Sequence, residues 1–487
     1  MGEKIKGVGF FGLVGMVVSS CIGSGVFAIS GQIGQVASPG AALIAWLVCG
    51  LGFLCLALSL ANLGAKCPDS DGAIAYAEDG FGKFAGFISG WGYWLSAWLG
   101  NVAFATMIAN TLGTNECLGT LLPGVFSADG NPAVGGVIVI SVLLWLITFL
   151  VINGVESAAG LNAVVMVVKV VSIAALIMFC IIAFQAATFT DDFWGNATRN
   201  MAVMAEGISE EGLGSIGNQV TNCILIMMWV FIGIEGASVM SKRAAKKSEV
   251  GSATVLGLIV LLVLYIGASI LPYGAVPYET LITADNPATV TIFETIAPGW
   301  GGAFISWAII ISVVGSWLSF TMLPAETTSM MADHGILPKV WDKRNDKNAP
   351  KVSLLIVGAC TEVFIIVATF SSSAYDFAFS MCTVAIVITW ALAAAYQVKY
   401  SAQHKEMGQL LLGVIALTFQ VVGVLFNGYG FLLLTCLGYV PGFFFYKKAR
   451  EENGATVTKN EYIFALIIGC LGVLGVVLNL MGVISVF

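Results

Sequence analysis

Thirteen apolar runs of about 20 residues constrain this chain more than any other feature of its sequence. A run of that length crosses a hydrocarbon core of roughly 30 Å as an α-helix, and a helix satisfies its own backbone polar groups where water is absent. The runs cover about 7–35, 40–63, 84–112, 134–153, 160–185, 219–240, 251–275, 297–323, 352–370, 374–398, 408–426, 430–446 and 462–485. The pair 408–426 and 430–446 is the weakest. Its second member is short, and Asn427-Gly428-Tyr429-Gly430 between them also suits the tip of a re-entrant hairpin. Only 10% of residues are charged, against about 25% in soluble domains. The 57 glycines suit membrane helices. The expected class is an all-α membrane protein rather than a string of soluble domains. The first run starts near Gly7 and passes Phe27, too long for a signal-peptide core.

The basic residues orient the runs. With the N-terminus in the cytoplasm and strict alternation, nineteen of the 21 Lys and Arg fall in cytoplasmic segments, as the positive-inside rule requires of short loops. Arg199 falls outside and Lys169 within the fifth run. The outer segment 186–218 is acidic, with Asp191, Asp192, Glu206, Glu210 and Glu211. Basic loops also suit lipid headgroups. Their dispersal among short loops gives no support to a nucleic-acid role. Nine of the eleven cysteines lie inside apolar runs, and no Cys-x-x-Cys pair occurs, so they read as small packing residues. His334 and His404 are the only histidines, too few for a histidine metal site. No Walker A sequence is present, which argues against ATP-driven transport.

Two runs are interrupted. Run 1 contains Ser19-Ser20-Cys21-Ile22-Gly23-Ser24-Gly25-Val26-Phe27, and run 6 contains Trp229-Val230-Phe231-Ile232-Gly233-Ile234-Glu235-Gly236-Ala237-Ser238. These are the first members of two five-run halves, and glycine-interrupted spans at matching positions of two halves point to a transporter binding site. Unwinding there frees N–H and C=O groups, tolerable at that depth only around a cavity. Half-helix N-termini can hold a substrate carboxylate and freed carbonyls an ammonium. Either motif alone also fits a small-residue helix crossing.

Gly23-Ser24-Gly25-Val26-Phe27 resembles the GSGxF motif of the amino acid–polyamine–organocation superfamily. Trp229 to Ser238 resembles the corresponding segment of its basic amino acid antiporters. Tyr93-Trp94-Leu95-Ser96-Ala97-Trp98-Leu99-Gly100-Asn101, Gly315-Ser316-Trp317 and the loop Met331–Pro338 follow in order, so the likeness extends over about residues 5–400. It is closest to the antiporters that exchange extracellular arginine for cytoplasmic ornithine. The resemblance implies a LeuT-like fold of two inverted five-helix repeats, 1–185 and 219–400. An acidic extracellular loop at 186–218 lies between them, and C-terminal spans follow in 401–487. A thirteenth span exceeds the superfamily's usual twelve.

Together these features mark Ile22, Ser24, Gly25, Tyr93, Trp98, Asn101, Trp229, Ile232 and Trp317 as expected substrate contacts, with Glu235 and Lys169 expected to serve coupling or gating. Glu235 is a carboxylate inside a span, where charge is costly and usually functional. It suits proton coupling, gating or a guanidinium contact, or a structural hydrogen bond. In the resembling antiporters the matching Glu is implicated in gating or protonation. Lys169 lies about nine residues into its span, roughly 13 Å deep. In some members of the superfamily a lysine there replaces a sodium ion, bridging spans 1, 5 and 8; snorkelling is the alternative. Tyr93, Trp94, Trp98, Trp229, Phe231 and Trp317 can stack on a cationic side chain, although Trp91, Trp94 and Trp98 also have helix-packing spacing. Glu362 in span 9 is expected to be structural, and Glu326 to end span 8 as a gate or loop ion-pair partner.

The function expected is exchange of cationic amino acids, arginine for ornithine, by alternating access, without cofactor or metal and without covalent chemistry. A proton-coupled symporter and an amino acid/amine antiporter that takes polyamines are the alternatives, with a channel or receptor a more distant one. The expected partners are the substrate and membrane lipid; a homodimer is left open.

Overall fold

The computed structural model describes residues 8–67, 70, 72–128, 131–236, 244–368 and 374–484. Lys4, Lys6, Lys242, Arg243 and Ser238 of the run-6 motif lie outside them. All thirteen expected runs contain helix. Span 1 is two helices, 1a (Phe10–Cys21) and 1b (Gly25–Val36), bent by 50°. Spans 2 to 5 are Pro39–Lys66, Lys83–Gly113, Val134–Asn153 and Val155–Ala183. Span 6 begins as Ile216–Val230. Spans 7 to 13 are Val250–Ile270, Gly301–Asp333, Lys351–Ala368, Ala374–His404, Met407–Asn427, Tyr429–Glu452 and Lys459–Leu480. A two-residue strand pair, Ser127–Ala128 with Asn131–Pro132, is the only sheet among the described residues.

Nine of these helices are long and apolar enough to cross a membrane, and ten if the bent pair counts as one. The remaining three have visible reasons for failing that test. Span 3 is rich in Trp, Tyr, Gly and Ser, span 6 is cut short at its break, and span 9 ends where the described residues end. Span 3 escapes the need for an apolar surface because it is central. Every residue from Ser89 to Leu112 is buried, and it packs on spans 8 and 10. A helix buried all round need not be amphipathic. Span 13 is the opposite case: of its residues only Gly472 and Gly475 are buried.

Two boundaries differ from expectation. Span 12 has 24 residues rather than a short stub, so spans 11 and 12 are both full-length helices and not a re-entrant hairpin. Span 8 runs ten residues beyond its expected end at 323, with Pro324 inside it and Glu326 well before its last turn. Proline lacks an N–H and so deprives the carbonyl four residues earlier, that of Phe320, of its partner. Asn101 Nδ2 on span 3 donates to this oxygen at 3.3 Å. A neighbouring helix thus satisfies the freed group, which lets proline persist in a membrane helix. All eleven cysteines are free.

Candidate functional site at the broken spans

Helix 1a ends at Cys21 and 1b begins at Gly25. The last carbonyls of 1a and the first N–H groups of 1b have no partner within their helices, so a negative and a positive helix end face one joint. Span 6 leaves its helix beside that joint. From Phe231 to Gly236 the chain runs in tight turns, with the N–H groups of Phe231, Ile232 and Ile234 donating to the carbonyls three residues back at 3.2, 3.2 and 3.1 Å. Gly233 takes φ +107°, a region that disfavours side chains. A Cβ at Gly233 would lie 2.7 Å from the carbonyl carbon of Ser20. Ser20 Oγ donates to Gly233 O at 2.8 Å, and Cys21 Sγ lies 3.6 Å from Phe231 O. The two broken segments therefore meet backbone to backbone, and glycine makes that approach sterically feasible.

A small cavity lies at the joint. Ser20, Cys21, Gly23, Ser24, Gly25, Phe104, Trp229, Val230, Ile232 and Phe320 line a cavity of only about 10 Å³, far below the roughly 300–1,000 Å³ of a small-molecule pocket. Aromatic rings fill the remainder. Phe104 packs 6.2 Å from Trp229 and 5.1 Å from Phe320, and Phe379 of span 10 lies 6.0 Å from Trp229. The hydroxyl of Tyr375 donates to Ser24 Oγ at 3.3 Å. Admission of an amino acid requires some of these rings to turn aside, so the conformation is closed. A larger hollow of about 870 Å³, lined by apolar residues such as Phe84, Phe444 and Leu466, lies among spans 3, 12 and 13. It is far from the broken helices, and the joint is the better candidate because it alone brings freed backbone groups together.

Lys169 holds the joint from behind. Its Nζ is fully buried and donates to Ser19 O of helix 1a at 2.9 Å and to Ser316 Oγ of span 8 at 2.7 Å. Ser316 Oγ in turn donates to Ile22 O at 2.9 Å. The Lys169 amino group thus sits at the negative end of 1a and ties spans 1, 5 and 8 together. Its burial and direct acceptors rule out snorkelling in this conformation.

Glu235 is 1% exposed and turns away from the cavity. Its Oε2 accepts from Trp390 Nε1 of span 10 at 3.1 Å, and its carboxylate also accepts from the Tyr93 hydroxyl of span 3 and from N–H groups of its own turn. The carboxylate therefore pins the unwound segment of span 6 against spans 3 and 10, a place unsuited to a guanidinium in this state.

A family model described as amino acid permease matches residues 8–474. This chain belongs to the amino acid permease family. It is 44% identical to an arginine/ornithine antiporter of Latilactobacillus sakei, across 99% of each chain. Similarity to an arginine/ornithine antiporter of Pseudomonas aeruginosa is 35% over 94% of each. An arginine/agmatine antiporter of Chlamydia caviae is 31% identical over 98% of this chain and 97% of that one. The permease is accordingly a multi-pass membrane protein.

Of the residues expected at the site, the joint brings together Ile22, Ser24, Gly25, Trp229 and Ile232 around or beside the cavity. Tyr93 serves Glu235 instead. Asn101 is one layer behind, engaged with the Phe320 carbonyl, while its Oδ1 is buried without a partner. Trp98 departs from expectation: it packs edge-to-face on Phe364 at 4.8 Å and extends a packing ladder through Trp94 to Trp91. Trp317 departs too. A helix turns about 100° per residue, and it is Ser316 and Phe320, one turn apart, that reach the joint. Sequence reasoning missed Phe104, Ser316, Phe320 and Tyr375. Phe104 lies one turn beyond Asn101, and helical spacing from that residue would have found it.

Below the joint, the cytoplasmic helix Ala73–Phe81 of this permease is latched to span 8. Glu78 accepts from Lys83 and bonds His334 Nδ1 at 2.8 Å, while Lys83 Nζ donates to His334 O at 2.7 Å. Burial opposes ionisation of Glu78, but the bonds from His334 and Lys83 outweigh it and hold its carboxyl below the ordinary range. Arg344 likewise reaches back to Glu326 at 3.0 Å. Glu362 of span 9 accepts from Ser141 of span 4 at 2.8 Å.

Proposed function

We propose that this permease exchanges arginine for ornithine across the cell membrane by alternating access. The observation that carries the reading is full-length similarity, at 44% identity, to a protein named an arginine/ornithine antiporter. The two inverted repeats are 1–185 and 219–400, joined by the outer segment 186–218 and followed by the C-terminal spans 401–487. In the open site, the N–H groups at the start of helix 1b hold the substrate carboxylate and the carbonyls ending helix 1a hold its α-ammonium. Trp229, with Phe104 and Phe320, stacks on the cationic side chain; each such contact is worth about 0.5–2 kcal/mol. Asn101 Oδ1 offers a further acceptor. Lys169 supplies fixed charge where a sodium-coupled carrier would hold its ion, and Glu235 governs the hinge of span 6. Arginine/agmatine exchange is the second reading, favoured by the chlamydial similarity at 31% identity.

Counterflow in proteoliposomes separates these readings. Labelled arginine should enter vesicles loaded with ornithine and stay out of empty ones. Faster entry against agmatine than against ornithine would favour the amine antiporter. Equal entry into empty vesicles under a pH gradient would establish a symporter.

A further inference from the structure

The cavity at the joint contains no carboxylate, although the substrate proposed for it carries a positive side chain. The nearest answer lies on its outer side. Span 10 begins Ala374-Tyr375-Asp376, and its first turn meets span 1 twice, at the cap of helix 1b and within it. Tyr375 reaches inward to Ser24, whereas Asp376 Oδ1 accepts from Gln32 Nε2 at 3.1 Å. Gln32 lies seven residues beyond Gly25 and therefore on the same stripe of 1b, about 10 Å farther out. Phe379, one turn below Asp376, packs against Trp229. The Gln32–Asp376 contact thus bridges 1b and span 10 above the aromatic cavity, on its extracellular side.

Two observations show that this bridge leaves acceptors unused. Gln32 Oε1 is buried without a hydrogen-bond partner. Asp376 is exposed and makes no ion pair among the described residues. A carboxylate beside an unpartnered amide oxygen calls for a ligand with several N–H donors and a positive charge. A hydroxyl could satisfy the amide, but it would leave the carboxylate unmatched. A guanidinium or an ammonium answers both. The outer segment 186–218, on the same side of the membrane in this topology, is also acidic, with Asp191, Asp192, Glu206, Glu210 and Glu211. Its single cation, Arg199, is buried, donates to the carbonyls of Asp191 and Thr188 at 3.0 and 3.3 Å, and stacks on Tyr278.

We propose that Asp376 and Gln32 form an outer binding site for the cationic end of the substrate, occupied before the joint opens, which selects charge at the entrance. The proposal rests on the reading of this permease as an exchanger of cationic amino acids. Asp376 supplies the formal charge that the inner cavity lacks, and ligand binding replaces the Gln32–Asp376 bond that closes the gap.

The test compares wild type with D376N, D376E and Q32L in ornithine-loaded proteoliposomes. It measures the KM for external arginine and the preference for arginine over citrulline, its neutral analogue. D376N keeps a hydrogen-bonding partner for Gln32 and removes only the charge. It should raise the arginine KM about fivefold and lower the preference by a similar factor, with the maximal rate within twofold of wild type. D376E should return both values to within twofold of wild type. Q32L breaks the bridge but keeps the charge, and should retain the preference. If D376N and Q32L both slow the maximal rate and leave KM and preference unchanged, the pair is only a latch and the outer site is refuted. An unchanged D376N refutes it as well. Failure of wild type to exchange any cationic amino acid overturns the exchange reading, and the outer site with it.

Discussion

Replacing Gly233 by alanine tests the claim that spans 1 and 6 are locked together through their backbones. The native φ of +107° costs an L-residue about 1–2 kcal/mol. The added Cβ would lie 2.7 and 2.8 Å from the carbonyl carbon and oxygen of Ser20. Backbone atoms cannot rotate aside as a side chain would, and overpacking of this kind costs a further 1–3 kcal/mol or so. Gly233→Ala should therefore destabilise the closed form by about 2–5 kcal/mol in all. Gly454 is the control. Its φ is +68°, and a Cβ there meets nothing within 4 Å, so Gly454→Ala bears only the backbone cost of about 1–2 kcal/mol. Gly25→Ala separates the other half of the argument, because its Cβ would lie 2.7 Å from indole atoms of Trp229, a side chain that can turn. The assay is the apparent unfolding midpoint of each purified variant in detergent at one scan rate, since such transitions are often irreversible, followed by the exchange rate in vesicles. The expected order of midpoints is wild type, then Gly454→Ala, then Gly233→Ala, with Gly233→Ala also the slowest exchanger. If Gly233→Ala unfolded with Gly454→Ala and exchanged at the wild-type rate, the backbone contact would not be what holds the joint.

Lys169→Met should leave the protein folded, because relief of a buried charge offsets the lost bonds to Ser19 and Ser316, yet slow exchange at least about tenfold by releasing helix 1a from spans 5 and 8. Wild-type exchange should be unchanged when choline replaces Na⁺, and a collapse in choline would contradict the role given to Lys169. Glu235→Gln sets an amide nitrogen among donors from Trp390 and Tyr93, so it should cut exchange strongly while Glu235→Asp keeps part of the rate; a wild-type rate and pH profile in the Gln variant would reduce Glu235 to packing. Asn101→Leu orphans the Phe320 carbonyl and should lower stability by about 1–3 kcal/mol. Unfolding measurements that show no loss would leave Asn101 a substrate contact alone. The lowered Glu78 carboxyl contributes stability that is present above its ordinary value of 4.5 and lost as pH falls through its lower folded value. The unfolding midpoints of wild type and Glu78→Gln should accordingly stay apart above pH 4.5 and converge below it, and a gap that persisted unchanged well below pH 4.5 would refute the latch.

The sequence alone determined the membrane class, the number of helical runs and the places where two of them break. Each is a property of consecutive residues: an apolar stretch long enough for the bilayer, or glycines that remove the obstacle to unwinding. Gly23, Gly25 and Gly233 announced the joint in this way, and Lys169 and Glu235 announced themselves by the cost of charge at their depth. Only the tertiary structure decided what those residues face. Trp317 and Ser316 are adjacent in sequence, but a turn of about 100° sends Ser316 to the joint. Trp98 and Phe104 share one helix that is buried on every side, so no apolar stripe distinguishes the face toward Phe364 from the face toward Trp229. Span 8 outran Pro324 because Asn101, more than 200 positions earlier in the chain, supplies the missing donor. Local pattern carries the cost of a break or a buried charge, whereas the groups that offset that cost come from other spans and are specified only when the helices pack.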